Sequence, residues 1–320
     1  MPLGAFKSGL FAAAGGSTED LTGAAFIAGG NGYTNDIAKM PFSTDTIADL
    51  AATLNTGAGG TAGCSDSGVA GYVAGGYHGG SPATSENIDK LTYSSDTAAL
   101  MTPVLSLRRH APAGMQDSGV AGYFAGGDNE GTASYQTIND RLVFSTATCS
   151  TTTAMSTGGD TTASFSNSGT AGYLLGGYGA GGGAAGYKDE VDKFAFPSDT
   201  LSVLTALPAT VAWADGFADV GVSGYHCGGW ESVAQNVATI YKWAFSNDAR
   251  TTSSGSLSVA DSQQTSGANS GSAGFVFAGY SGGATWVNKF TFPTDTRSSL
   301  TAMGGSQYGA AGFANEGTLA

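Results

Sequence analysis

The side chains that could do chemistry are few, and their spacing does not favour it. The chain has three histidines, His78, His110 and His226, and three cysteines, Cys64, Cys149 and Cys227, in 320 residues. The histidines fall at unrelated places and make no metal-ligand spacing. No G-x-S-x-G elbow is present to expose a nucleophilic serine. Asp128, Asn129 and Glu130 adjoin one another. They could hold a calcium ion, but such an acidic stretch reads more simply as a hydrated loop. A copper oxidase built on Cys, Tyr and His would need a constellation that neither Cys64 nor Cys227 supplies. An odd number of cysteines is no disulfide framework, and each reads as a small buried apolar side chain. These residues imply no enzyme, no catalytic residue, no metal and no cofactor.

Two other groups are better ordered. Six of the 12 basic residues, Lys39, Lys90, Arg141, Lys193, Lys242 and Lys289, each stand three residues before a Phe or Tyr. An aspartate usually follows three residues later. Cations spread so evenly suit a structural device, such as an ion pair between neighbouring units, rather than an anion-binding surface. A partly exposed pair of this kind contributes ~1 kcal/mol or less. The second group is aromatic: Tyr33, Tyr77, Tyr135, Tyr178, Tyr187, Trp230, Tyr280 and Trp286, with His78 beside them. They lie in segments of varying length among Ser, Asn and Gly. Amphipathic rings in that company suit a sugar or a protein surface, so these residues are the expected ligand or partner contacts.

A repeat must position both groups. Residues 117–127 read D-S-G-V-A-G-Y-F-A-G-G, and close copies stand at 66–76, 167–177, 219–229 and 269–279. A shorter copy, A-A-F-I-A-G-G, stands at 24–30. The closing glycines are 46 to 52 residues apart, a period that means a propeller, a solenoid or an array. Residues 106–157 serve as the template. A first strand over 106–116 meets a tight turn at 117–119, where Asp or Asn caps the turn and Gly takes the left-handed corner. A second strand over 120–126 ends in a glycine pair, and a polar loop follows. A third strand over 138–145 alternates apolar and basic residues, and a shorter fourth lies near 150–155. Four short antiparallel strands in about 50 residues make one propeller blade.

The pattern resembles a kelch-type repeat, with Arg108-Arg109-His110, Gly126-Gly127 and Phe144 in the places that family uses. It lacks the Trp that follows the third strand in kelch repeats. The variant here is similar to Gly-rich kelch-like repeats in virion proteins of tailed, especially marine, bacteriophages. The resemblance covers 23–320 and implies an all-β, six-bladed kelch-like β-propeller with four-stranded antiparallel blades. Strand counting adds that the last first-strand copy, 306–314, should pair with 24–30 and close the ring. Small residues should line the axis where six strands converge. Residues 1–22 are left over as an arm for attachment or packing. Their apolar run is too short for a good signal peptide, and no stretch approaches a membrane span.

A net charge of −13 with 41% hydrophobic residues excludes a disordered acidic chain and disfavours nucleic acid and anionic lipid. The expected function is therefore a non-enzymatic structural or binding protein of a phage virion. It would be part of a multimeric assembly, meeting other virion proteins through 1–22 or one propeller face, with host surface glycan as a further contact. The alternative is a secreted or cell-surface glycan-binding adhesion module.

Overall fold

Paired glycines and alternating side chains stop each main strand after four to six residues, and the chain is built of short antiparallel strands. The computed structural model describes residues 23–30, 32–129, 134–179, 186–262, 265–277, 279–280, 285–305 and 308–315. The expected arm, 1–22, and Glu130 of the acidic loop lie outside the described residues.

The described residues form six four-stranded sheets. The first orders Ala311–Asn315, Ala24–Ala28, Asp36–Pro41 and Ala48–Thr53 from its innermost strand outward. The second orders Ala62–Asp66, Ala70–Ala74, Ile88–Thr92 and Thr97–Leu100. The third orders Ala113–Asp117, Ala121–Ala125, Asn139–Val143 and Thr148–Thr151. The fourth orders Ala163–Asn167, Ala171–Leu175, Val191–Ala195 and Thr200–Val203. The fifth orders Asp215–Asp219, Ser223–Cys227, Ile240–Ala244 and Ala249–Thr252. The sixth orders Thr265–Asn269, Ala273–Phe277, Val287–Thr291 and Thr296–Ser299. In the first sheet the two ends of the chain meet, with Ala24 opposite Asn315 and Ala28 opposite Ala311.

The innermost strands are shorter than the sequence suggests. Ala111, four residues before the middle of its strand, has φ +51°, which breaks the extended run expected from 106. The fourth strand of the template starts at Thr148 rather than near 150. The polar loop after the third sheet's second strand holds a small ladder, Asp128–Asn129 against Ser134–Tyr135. The turn chemistry also differs. Gly119 does take φ +78°, but the aspartate does not serve its own turn. The Gly119 N–H donates to Asp66 of the preceding sheet at 3.0 Å, and the Gly169 N–H donates to Asp117 at 2.8 Å. Gly221 does the same to Asn167, and Gly68 to Asn315.

Neighbouring sheets are joined by one repeated junction. The aromatic of each second strand stacks on the aromatic that ends the third strand of the next sheet. The pairs are Phe26–Tyr93, Tyr72–Phe144, Tyr123–Phe196, Tyr173–Phe245, Tyr225–Phe292 and Phe275–Phe42, with centroids 4.9–5.6 Å apart. The repeated cation stands over the same ring, 5.0–5.9 Å from its centroid. It then reaches across to the aspartate of the next sheet's outer turn. Lys39 meets Asp96, Lys193 meets Asp248, Lys242 meets Asp295 and Lys289 meets Asp45, at 2.7–3.0 Å. Arg141 sits 3.7 Å from Asp199, and Tyr123 donates its hydroxyl to the same carboxylate. For Lys90 the matching turn position holds Ala147. Ala147 keeps the positive φ of its aspartate counterparts, 51° against 49–56°.

Glycine makes room on the inner side of each junction. A Cβ at Gly71 would overlap the Phe313 ring, one at Gly224 the Phe165 ring, and one at Gly274 the Phe217 ring. Where the inner knob shrinks to Ala268, the facing glycine is replaced by Ala25, and both lie in one apolar cluster. Further in, Gly114 abuts the Gly63 carbonyl and Gly216 the Ser164 carbonyl, so backbone meets backbone with no side chain between.

Two outcomes follow. Ala147→Asp should complete the missing pair with Lys90 and also place a residue more tolerant of left-handed backbone. Urea unfolding should show a gain of about 0.5–1 kcal/mol; a loss would mean that Lys90 is held otherwise. His226 is the second case. It is fully buried where the fourth sheet has Leu174, and neither ring nitrogen has a partner among the described residues. Burial lowers its pKa from 6.5 to about 4. Between those values the unfolded chain binds a proton that the folded chain does not. Stability is therefore full above pH 6.5 and falls as pH drops toward 4. His226→Leu should remove that component, on the order of 1–3 kcal/mol, and flatten the acid limb of a stability–pH curve.

Candidate functional site

Before five of the innermost strands the chain crosses the mouth between the sheets in a left-handed residue. Gly60, Ala111, Thr161, Trp213 and Gly309 have φ between 50° and 67°. Their peptides form an arc of hydrogen bonds. The Gly60 N–H donates to Gly309 at 2.6 Å, Ala111 to Gly60 at 2.7 Å, Thr161 to Ala111 at 3.2 Å and Trp213 to Thr161 at 3.1 Å. Just outside it, the residue after four of the glycine pairs bridges back to the residue before the crossing. Tyr77 pairs with Gly59, Asp128 with His110 and Tyr178 with Asp160, and Trp230 with Ala212. The repeat thus brings a variable residue of each of these four sheets beside the crossing.

These segments enclose a cavity of about 570 Å³. Five sheets contribute: Tyr33 and Tyr308 from the first, Tyr77 from the second, His110 and Asp128 from the third, Thr161 from the fourth and Trp213 from the fifth. Tyr33 and Tyr77 lie 5.2 Å apart, and Tyr77 meets His110 edge-on at 6.2 Å. On the far side Trp213 stacks on Tyr178 at 5.8 Å, and Tyr178 is flanked by Tyr135 and Tyr187. The lining includes no Lys or Arg. One oxygen of Asp128 is buried without a hydrogen-bond partner. Beside it, Asp160 accepts from the Thr161 hydroxyl. Burial raises the Asp160 pKa to about 7, with the Asp128 charge adding to the rise.

The nearest cations are tied down elsewhere. Arg109, completely buried, donates to Asp140 at 2.6 Å and to the Phe124 carbonyl. Lys188 donates to the Thr157 and Gly158 carbonyls. The thiols are quiet: burial pushes Cys64 and Cys227 well above the usual range and Cys149 up to about 12. Among the described residues no cluster of three His, Cys, Asp or Glu could hold a metal ion.

The expected contact residues separate. Tyr33 and Tyr77 line the cavity. Tyr135, Tyr178 and Tyr187 back its Trp213 wall, and Tyr280 meets the lining residue Tyr308 at 5.1 Å. His78 and Trp230 are not among the lining residues. Trp286 packs on the apolar clusters of the first, fifth and sixth sheets and donates its indole N–H to Asp261 at 3.2 Å. Sequence reasoning missed Trp213, Tyr308, His110 and Asp160 as one group. The signal was their place at or next to the crossing, four residues before the middle of each innermost strand.

Six sheets of this kind, with their inner strands side by side, define a β-propeller type of fold. The solved structure of YjhT is similar, with a TM-score of 0.68 over 88% of this chain and 97% of that one, at 14% identity. No protein-family model matches the sequence, and the search of curated proteins returned no match.

Carboxyl-carbon NMR should find Asp160 titrating near pH 7. Asp128→Asn removes the neighbouring negative charge, so the midpoint should move down. A midpoint unmoved by that change would show that the two carboxylates are not coupled.

Proposed function

We propose that the chain is a six-bladed kelch-like β-propeller closed by its C-terminal strand, acting as a non-enzymatic glycan-binding component of a phage virion. The closed reading is supported by the pairing of Ala311–Asn315 with Ala24–Ala28 and by the sixth-to-first junction of Phe275–Phe42 and Lys289–Asp45. The observation that carries the binding reading is the mouth cavity. Rings from separate sheets face a space the size of a small saccharide, on a rigid arc of peptide hydrogen bonds. Aromatic faces pack against the apolar faces of sugar rings, while peptide groups and hydroxyls take up sugar hydroxyls.

The virion setting is supported by the repeat's resemblance. A second feature agrees with it. At the other end of the innermost strands, Val69, Val120, Val220 and Val222 stand exposed on the turns, an apolar set suited to a neighbouring subunit. A free adhesion module would use the same cavity, and the flanking genes separate the two settings: capsid or tail genes for one, secretion genes for the other.

Saturation-transfer NMR against a panel of monosaccharides should show binding. Tyr33→Ala should weaken it about tenfold with little change in melting temperature, because Tyr33 is 47% exposed. A panel with no binder would sink the glycan reading.

A further inference from the structure

The cavity's charge narrows its ligand, on the premise that it takes a saccharide at all. Its described lining offers a carboxylate, Asp128, and five rings, Tyr33, Tyr77, His110, Trp213 and Tyr308, but no Lys or Arg. Asp128 lines the cavity, and its fully buried oxygen has no donor, so the protein leaves this carboxylate without a counter-ion of its own. A second carboxyl group, Asp160, lies near Asp128 outside the lining and accepts from the Thr161 hydroxyl. The nearby cations are engaged elsewhere. Arg109 is held beneath by Asp140, Lys188 by two carbonyls, and Arg108 faces Glu86 at 3.9 Å. The chain as a whole adds a field of −13.

An anionic sugar, such as a uronic acid, would enter against the Asp128 carboxylate with nothing to pair with. A neutral sugar could stack on the rings but would leave the Asp128 charge without a counter-ion. An ammonium group meets both needs. It donates a charge-assisted hydrogen bond to the carboxylate and is attracted to the faces of Tyr and Trp rings. We infer that the cavity selects sugars carrying a free amine, with Asp128 as the counter-ion and the Tyr77 and Trp213 walls holding the ring.

Titration calorimetry of the whole protein with glucosamine, glucose and glucuronate tests this at mildly acidic pH, where the amine is protonated. Glucosamine should bind about tenfold tighter than glucose, with glucuronate the weakest. Asp128→Asn should lower the affinity for glucosamine and raise that for glucuronate. Equal affinities for glucose and glucosamine would overturn the inference and leave the saccharide reading standing. Tighter glucuronate would overturn it too. Failure of all three sugars to bind would overturn both. The wild-type series decides the matter even if the variant does not fold.

Discussion

The structure depends on the junction between one sheet and the next. A sheet of four short strands cannot bury both faces alone. Here each buries one against its neighbour through a stacked pair of rings, a cation over one ring, and an aspartate beyond it. The glycine on the second strand sets the spacing, because it lets the neighbour's inner side chain occupy the volume of a missing Cβ. Stacked rings contribute about 0.5–1.5 kcal/mol beyond their buried area, more than an ion pair of this exposure. The rings therefore hold the junction and the ion pair orients it. The alanine at position 147 is consistent with that order, since its junction keeps the Tyr72–Phe144 stack without the aspartate.

The mouth of the axis follows from the same spacing. Inner strands that touch backbone to backbone leave little space between them, a separate void of about 40 Å³ lined by Gly63, Gly114, Gly216 and Gly267 among others. The mouth opens where the chain crosses in left-handed residues and turns outward. The crossing peptides bond to one another, which gives the rim a fixed backbone. What varies is the side chain at each crossing and the residue bridged to it. In this molecule those positions hold Tyr, His, Asp and Trp, so a stiff repeat carries a rim with chemistry of its own.

Much of the fold was legible because the junction is written in every copy. The Gly-Tyr pair, the Lys three residues before Phe and the aspartate three residues later mark its parts. The strand count placed 306–314 beside 24–30, and in the structure Ala311–Asn315 pairs with Ala24–Ala28. The candidate site was legible only in part. Tyr33 and Tyr77 were visible as aromatics in variable loops. Trp286 had the same appearance, yet it sits inside a junction because the Asp261 carboxylate and two apolar clusters hold it there. Trp213 and His110 were hidden because they lie in a segment that alternates like a strand, and nothing local marks the left-handed kink that swings it over the mouth.

The sequence by itself determined the repeat, the strand order within each unit and the residues that join one unit to the next. These are set by local periodicity and by turn chemistry, both of which act over a few residues. Tertiary structure decided which cation meets which carboxylate, that Asp66 and Asp117 serve the next sheet's glycine, and which rings share a cavity. Those relations join residues about 50 positions apart, or more than 240 in the case of Lys289 and Asp45. No local pattern carries such a distance. It is set by how closely the sheets can approach, and hence by the glycines that let them.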